Sequence, residues 1–156
     1  MTEAGGAIAV RQATIDDVDR LAPLFDGYRI FYGQASDRDL ARRFLHERFV
    51  NQQSIVFVAE RGGAAVGFTQ LYPSFSSVRP AKIFVLNDLF VDPSCRKCGA
   101  GAALLEAARR YAAAAGAASL TLRTAVDNAR AQALYRSLGW QQNDRFLAFD
   151  LPIEAG

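Results

Sequence analysis

Apolar residues change their spacing several times along this chain, and each change marks an element. Ile8 to Arg11 is a short run bounded by glycines behind and Thr14 ahead, and it reads as a first strand. Thr14 with Asp17 three residues on has the form of a helix N-cap box, and Val18, Leu21, Leu24 and Phe25 then recur at helical spacing. A second start at Ser36 with Asp39 precedes Leu40, Phe44, Leu45 and Phe49, which line one face. The pattern predicts two helices over roughly residues 15–50.

The period then shortens. Ser54 to Arg61 is β-branched and aromatic, and Gly62-Gly63 is a strong hairpin turn. Ala65 to Tyr72 is expected to return as its partner and to end at Pro73, with Ser74 to Pro80 as a loop. Lys82 to Val91 reads as a further strand, ended by Asp92-Pro93. Gly99 to Ala115 is an alanine-rich helix with Leu104 and Leu105 toward the core and Gly116 at its end. Ser119 to Thr124 is a strand, Ala129 to Leu138 a helix stopped by Gly139, and Arg145 to Leu151 a last strand. The predicted order is β-αα-βββ-α-β-α-β, an α/β fold without repeats. Residues 1–7 are expected to be a flexible N-terminus and 8–156 one domain, as the length of 156 residues suggests.

Composition narrows the function. Hydrophobic residues make up 51% of the chain, enough for a core and too many for a disordered protein. Eighteen basic against sixteen acidic residues form no stripe, which argues against nucleic acid. The apolar stretch from Ala100 to Leu122 is broken by Glu106, Arg109, Arg110 and Gly116, which argues against a membrane span. The start has no basic segment followed by an apolar run, so a cytoplasmic protein is the expectation.

The most informative segment runs from Asn87 to Ala102, where a strand enters a loop holding Arg96, Gly99 and Gly101 and a helix begins. Glycines let backbone N–H groups approach an anion, and a helix start adds about half a positive charge. Together they suggest a phosphate site. A Walker loop would need Gly-Lys-Ser/Thr, which is missing, and a dinucleotide fingerprint would need a third glycine where Leu104 stands.

Arg96-x-x-Gly99-x-Gly101 resembles the pyrophosphate loop of the GCN5-related N-acetyltransferase superfamily, whose pattern is Arg/Gln-x-x-Gly-x-Gly/Ala. A second match lies downstream. Asn128-Ala-Arg-Ala-Gln-Ala-Leu-Tyr135 with Gly139-Trp140 is similar to that family's Asn-x-x-Ala-x-x-Leu-Tyr segment and the Gly-aromatic pair after it. The element order agrees over about residues 8–151. Phe31-Tyr32, Asn87 to Val91 and Asn128 to Gln132 resemble, within the superfamily, the yeast-type histone and polyamine acetyltransferases. The resemblance implies an acyl-CoA N-acyltransferase fold, a twisted mixed sheet flanked by helices and splayed open near Val91.

It also implies roles. Backbone groups of Leu89, Phe90 and Val91 pair with the pantetheine arm of acetyl-CoA. Arg96, Lys97, Cys98, Gly99, Ala100, Gly101 and Ala102 wrap its pyrophosphate. Asn128 bonds the pantetheine amides or caps its helix. Tyr135, seven positions on and two turns along the same face, is the general acid for the leaving thiol. The acceptor amine needs a base, and many relatives carry glutamate where Asn87 stands. Asp88 is the neighbouring candidate, as base or as a structural carboxylate, although regular alternation sends it to the opposite face from Asn87. Tyr28, Tyr32 and Asn87, with Asp26 and Phe31, lie where the family builds its acceptor pocket.

The chemistry expected is direct acetyl transfer to an amine acceptor (small amine, polyamine, amino acid or protein lysine) without a metal. A non-catalytic acyl-CoA-binding regulatory module is the alternative. Homodimers are common in the family, though no interface signature is legible. Cys95-Arg-Lys-Cys98 invites a zinc or redox reading, but His46 is the sole histidine and no thioredoxin-like βαβ unit surrounds the pair. The sequence therefore favours two thiols that merely sit in or beside the phosphate loop.

Overall fold

The structure, a computed structural model, describes residues 6–155. Of the expected flexible start, residues 1–5 lie outside the described residues. The chain forms two compact units, residues 1–123 and 124–156. The first holds a five-stranded sheet ordered β1 (Ala9–Gln12), β2 (Ile55–Arg61), β3 (Ala64–Ser76), β4 (Ala81–Val91) and β5 (Ser119–Leu122). Its first three pairings are antiparallel. The last is parallel, because β4 reaches β5 through a helical crossover. Helices α1 (Val18–Phe31), α2 (Arg38–Val50) and α3 (Ala100–Ala114) complete this unit, and α4 (Ala129–Ser137) belongs to the second.

Both faces of the sheet are covered, which is why β2 reads as a nearly continuous apolar run. Val56, Val58 and Phe68 pack with Leu21, Leu24, Phe25, Ala41 and Leu45 of α1 and α2. On α3, Leu104, Leu105, Ala108 and Ala112 are buried, and Tyr111 meets Phe57 and Phe84 edge-on. Gly67 of β3 leaves room for α3 and β4: a Cβ there would stand 2.9 Å from the Phe90 carbonyl oxygen and 3.3 Å from Leu104.

Local signals explain most element boundaries. Gly62 and Gly63 both take positive φ, as a two-residue hairpin turn of this hand requires. The Thr14–Asp17 box forms, capping a short 3-10 turn that leads into α1. For α2 the cap is Asp37, whose carboxylate accepts from the Leu40 N–H, and not the expected Ser36. Ser36 instead donates its hydroxyl to Asp26 at 2.7 Å.

The expected end at Pro73 is not an end. β3 continues to Ser76, and only residues 77–80 turn. The β2 ladder stops at Leu71, so beyond it that flank of β3 needs no donor and proline is tolerated. The predicted last strand, Arg145 to Leu151, is not formed among the described residues. Its apolar and aromatic composition signals strand propensity, but a strand exists only where a neighbour supplies ladder partners.

Asp17 ties the edge of the sheet to α1. Its carboxylate accepts from Arg11 at 2.7 and 2.9 Å and from the Thr14 N–H at 2.8 Å. The Arg11 hydrogen bond outweighs burial and holds the carboxyl at about 2, against 3.8 ordinarily. A folded-state value below the unfolded one stabilises above the unfolded value and is lost as pH falls through the folded one. Asp17→Asn should therefore lower stability by about 2 kcal/mol near neutral pH. The deficit, followed by urea denaturation against pH, should close between about pH 4 and pH 2.

Candidate active site

The parallel ladder between β4 and β5 runs only from Ile83 and Ser119 to Leu86 and Leu122. Asn87 to Val91 extend past it, so this flank of β4 faces no strand among the described residues. Beyond Val91 the Asp92 carboxylate accepts from the Ser94 N–H and hydroxyl at 2.9 and 2.6 Å, which sets a 3-10 turn over Pro93–Cys95. Lys97 and Gly99 are left-handed, with φ of 66° and 86°, and α3 starts at Ala100. Gly99 has no side chain to cap that start; the Ala100 N–H reaches the Cys98 sulfur, and the later N–H groups of the first turn have no N-cap partner.

Of the residues that the resemblance assigns to the pyrophosphate, Arg96, Lys97, Cys98 and Gly99 lie in this loop, and Ala100, Gly101 and Ala102 open α3. Arg96 and Lys97 are exposed, while Cys98 is half-buried. A cavity of about 770 Å³ opens beside the loop, lined by Gly27, Phe31 and Phe90 and by three arginines, Arg20, Arg38 and Arg96. Among the described residues Asp92 is the one carboxylate lining it, while Arg20 is paired with Glu60 and Asp17, so Arg38 and Arg96 are the cations facing an anion. Phe90 points toward α1, where a Cβ on Gly27 would meet its ring at 3.1 Å. Leu89 and Val91 are half-buried neighbours on the same strand end.

Asp88 is 3% exposed. Its carboxylate accepts from Gln70 Nε2 at 2.5 Å and from Asn87 Nδ2 at 3.0 Å. Contact between adjacent side chains departs from the expected alternation, and the register shows why. Gln70 pairs with Asp88 but Leu71 with Leu86, leaving Asn87 as the extra residue of a β-bulge. Burial pushes the Asp88 carboxyl above its ordinary range, against the opposing hydrogen bonds of Gln70, Asn87 and Tyr28. The Tyr28 hydroxyl also donates to the Asn87 carbonyl at 3.2 Å. Tyr32 packs edge-on against Tyr28, ring centres 5.0 Å apart.

Sequence reasoning missed the partners on β3 and just before β2. Ser54 donates to Gln70 Oε1 at 2.8 Å, and Gln70 in turn donates to Asp88, a polar chain through the sheet. Tyr72 stands close enough to feel the Asp88 charge, and burial above all raises its phenol to about 12. Gln70 was discoverable: it is a large polar residue between apolar residues, beside Thr69, in the middle of the strand. Asp26, in contrast, fastens the α1–α2 connection. It is 3% exposed and accepts from the Ser36 hydroxyl and from the Asp37 N–H at 2.8 Å.

In the second unit, Asn128 caps α4, accepting from the Ala131 N–H at 3.2 Å. The Tyr135 ring lies 6.0 Å from that of Trp140. Gly139 takes a φ of 91° and ends the helix as expected.

An open mixed sheet whose fourth strand feeds a glycine-opened helix defines the acyl-CoA N-acyltransferase class of fold. Comparison with known proteins agrees. The acetyltransferase (GNAT) family matches residues 21–140, and the chain belongs to that family. It is 47% identical to the uncharacterized N-acetyltransferase YhfO of Bacillus subtilis (strain 168), over 94% of this chain and 98% of that one. The crystal structure of a probable acetyltransferase superposes with a TM-score of 0.88 at 36% identity, covering 95% and 99% of the two chains. An aminoglycoside N-acetyltransferase, AAC(6')-Iy, solved with CoA, shares the fold at a TM-score of 0.81 and 19% identity, over 98% and 100%. Acetyl transfer is thus the chemistry of the family. No helix among the described residues is long and apolar enough to cross a membrane.

Proposed function

We propose that this protein transfers acetyl from acetyl-CoA directly to a primary amine in a ternary complex. The observation that carries the reading is the unpaired flank of β4 from Asn87 to Val91 running into the uncapped start of α3. Backbone groups of Leu89, Phe90 and Val91 on that flank suit the pantetheine amides, as a further strand would. An N–H near Val91 would stabilise the tetrahedral oxyanion, a contact worth about 2.7–4 kcal/mol in other enzymes. The loop from Arg96 to Ala102 takes the pyrophosphate through N–H groups and the helix dipole.

An alkylamine near pKa 10.4 pays about 4.6 kcal/mol to be neutral at pH 7, so a proton acceptor is needed. Asp88 fills that role in this reading. Burial makes it a stronger base than an ordinary carboxylate, and the Tyr28 hydroxyl gives it a route outward. Asn87 cannot take a proton but positions Asp88 through its amide. Tyr28, Tyr32 and Asn87 form the acceptor side. Motif position, rather than distance, assigns Tyr135 as the acid for the CoA thiol and Asn128 as a pantetheine contact.

Release of CoA thiol over a panel of amines tests the activity. Spermidine and a lysine peptide come first, because Phe31-Tyr32 and Asn87 to Val91 resemble the histone and polyamine enzymes. An aminoglycoside follows, given the named activity of the CoA-bound structural relative. A non-catalytic acyl-CoA module, which Asn87 in place of glutamate favours, would bind acetyl-CoA and release no thiol with any amine.

Binding has its own test. Acetyl-CoA at 100 times its Kd should add about 2.7 kcal/mol of stability. Gly101→Val should abolish this. Gly101 lies in the first turn of α3 without a left-handed φ, so valine blocks approach to the backbone without demanding a forbidden conformation. Undiminished thermal protection of Gly101→Val would remove the pyrophosphate from this loop.

A further inference from the structure

We propose that Cys95 and Cys98 are a thiol–disulfide exchange site for small-molecule disulfides, open when the loop before α3 is empty and shielded when it is occupied. The shielding rests on the acyl-CoA reading; the exchange site does not.

Sequence context spoke against redox chemistry, and the geometry supplies what it lacked. The two sulfurs lie 2.6 Å apart, against about 2.05 Å across a formed disulfide. The intervening backbone, with Lys97 left-handed, already brings them together. The Cys98 thiol also donates to the Cys95 carbonyl. Among the described residues no third His, Cys, Asp or Glu side chain joins the pair.

The two thiols differ as an attacking and a resolving cysteine do. Cys95 is 3% exposed, with Arg61 Nη1 3.5 Å from its sulfur. Cys98 is half-buried and stands two residues before the start of α3, where the helix dipole favours a negative sulfur. Burial works against the Cys98 thiolate, but the hydrogen bond from Cys95, the Ala100 N–H and the Arg61 charge together bring the thiol below its ordinary value. Burial and the Cys98 neighbour push Cys95 the other way.

The reaction then balances without a metal. The Cys98 thiolate attacks one sulfur of a disulfide such as oxidised glutathione. A Cys98–glutathione bond forms, and one glutathione leaves and takes up a proton. Cys95 gives up its proton and attacks Cys98 Sγ, expelling the second glutathione as thiol. The protein pair is oxidised by two electrons and the reagent is reduced by two. An anion on α3's first turn opposes this twice, by covering Cys98 and by disfavouring its thiolate.

The test incubates the full chain with oxidised glutathione, then follows intact mass and, after acid quenching and unfolding, iodoacetamide labelling. Desulfo-CoA, which has no thiol, is the loop ligand. The expected product is lighter by two hydrogens and takes no label, whereas the reduced protein takes two. Cys95→Ser should stop at a glutathione adduct on Cys98. Both thiols remaining open to label after exhaustive incubation would overturn the exchange site, as would an adduct in Cys98→Ser that forms as fast as in Cys95→Ser. With desulfo-CoA at 100 times its Kd, about one loop in a hundred is empty, and oxidation should slow by up to about a hundredfold. An unslowed rate with a ligand that still raises Tm would overturn the shielding alone. A ligand that raises Tm by nothing would sink the acyl-CoA reading and leave the thiol result standing.

Discussion

Tyr135→Phe should lower kcat by ~10²–10⁴-fold while acetyl-CoA binds nearly as before. A thiol near pKa 8.5 is already a fair leaving group, so the lower end of that range is expected. The change removes one hydroxyl. Phenylalanine keeps the ring, and with it the packing on Trp140 at 6.0 Å. Folding and the α4 caps should survive, since Asn128 and Gly139 are untouched. Steady-state kinetics on whichever amine the panel selects, with a direct Kd for acetyl-CoA, separates the two effects. Parental turnover in the variant would make Tyr135 a packing residue and water the acid.

Asp88→Asn should cost activity on a similar scale, ~10²–10⁴-fold, if Asp88 takes the amine proton. It should also cost stability. Gln70 and Asn87 both donate to the carboxylate, and an amide offers one oxygen where two were used, so a buried donor is orphaned at about 1–3 kcal/mol. The pH dependence distinguishes a base from a strut. Burial raises the Asp88 carboxyl, so the parental rate should fall as pH drops through that raised value, and this limb should be missing from the variant. The stability sign runs opposite to that of Asp17. A folded-state value above the unfolded one means that the parent loses stability relative to Asp88→Asn as pH rises through that window. A variant with lower Tm, unchanged kcat and an unchanged acid limb would leave Asp88 structural.

How much of this was legible beforehand depends on the range of the interaction. The Thr14–Asp17 box, the Gly62-Gly63 turn, the opening of α3 at Gly99 and the stop at Gly139 are set by residues within a turn of one another. The sequence therefore displays them directly. The loop proposed for the pyrophosphate belongs to this group, because strand, glycines and helix start are contiguous, and so does the motif from Asn128 to Tyr135. The resemblance to the family rested on those two segments, and the family match over residues 21–140 established it.

What needed the tertiary structure is whatever depends on a neighbour distant in sequence. Strand propensity over Arg145 to Leu151 did not make a strand, since no ladder partner meets it among the described residues. Proline at position 73 did not end β3, because β2 had already stopped alongside it. The bulge at Asn87 arises from the pairing of β3 with β4, and it alone brings the Asn87 amide onto the Asp88 carboxylate. Gln70 lies eighteen residues before Asp88 and Tyr28 sixty, so the polar chain around the candidate base has no local signature. Cys95 and Cys98 are three residues apart, yet even their spacing fits a loop of two inert thiols as well as a couple. The fold decided, by turning Lys97 left-handed and setting both sulfurs in contact at the mouth of α3.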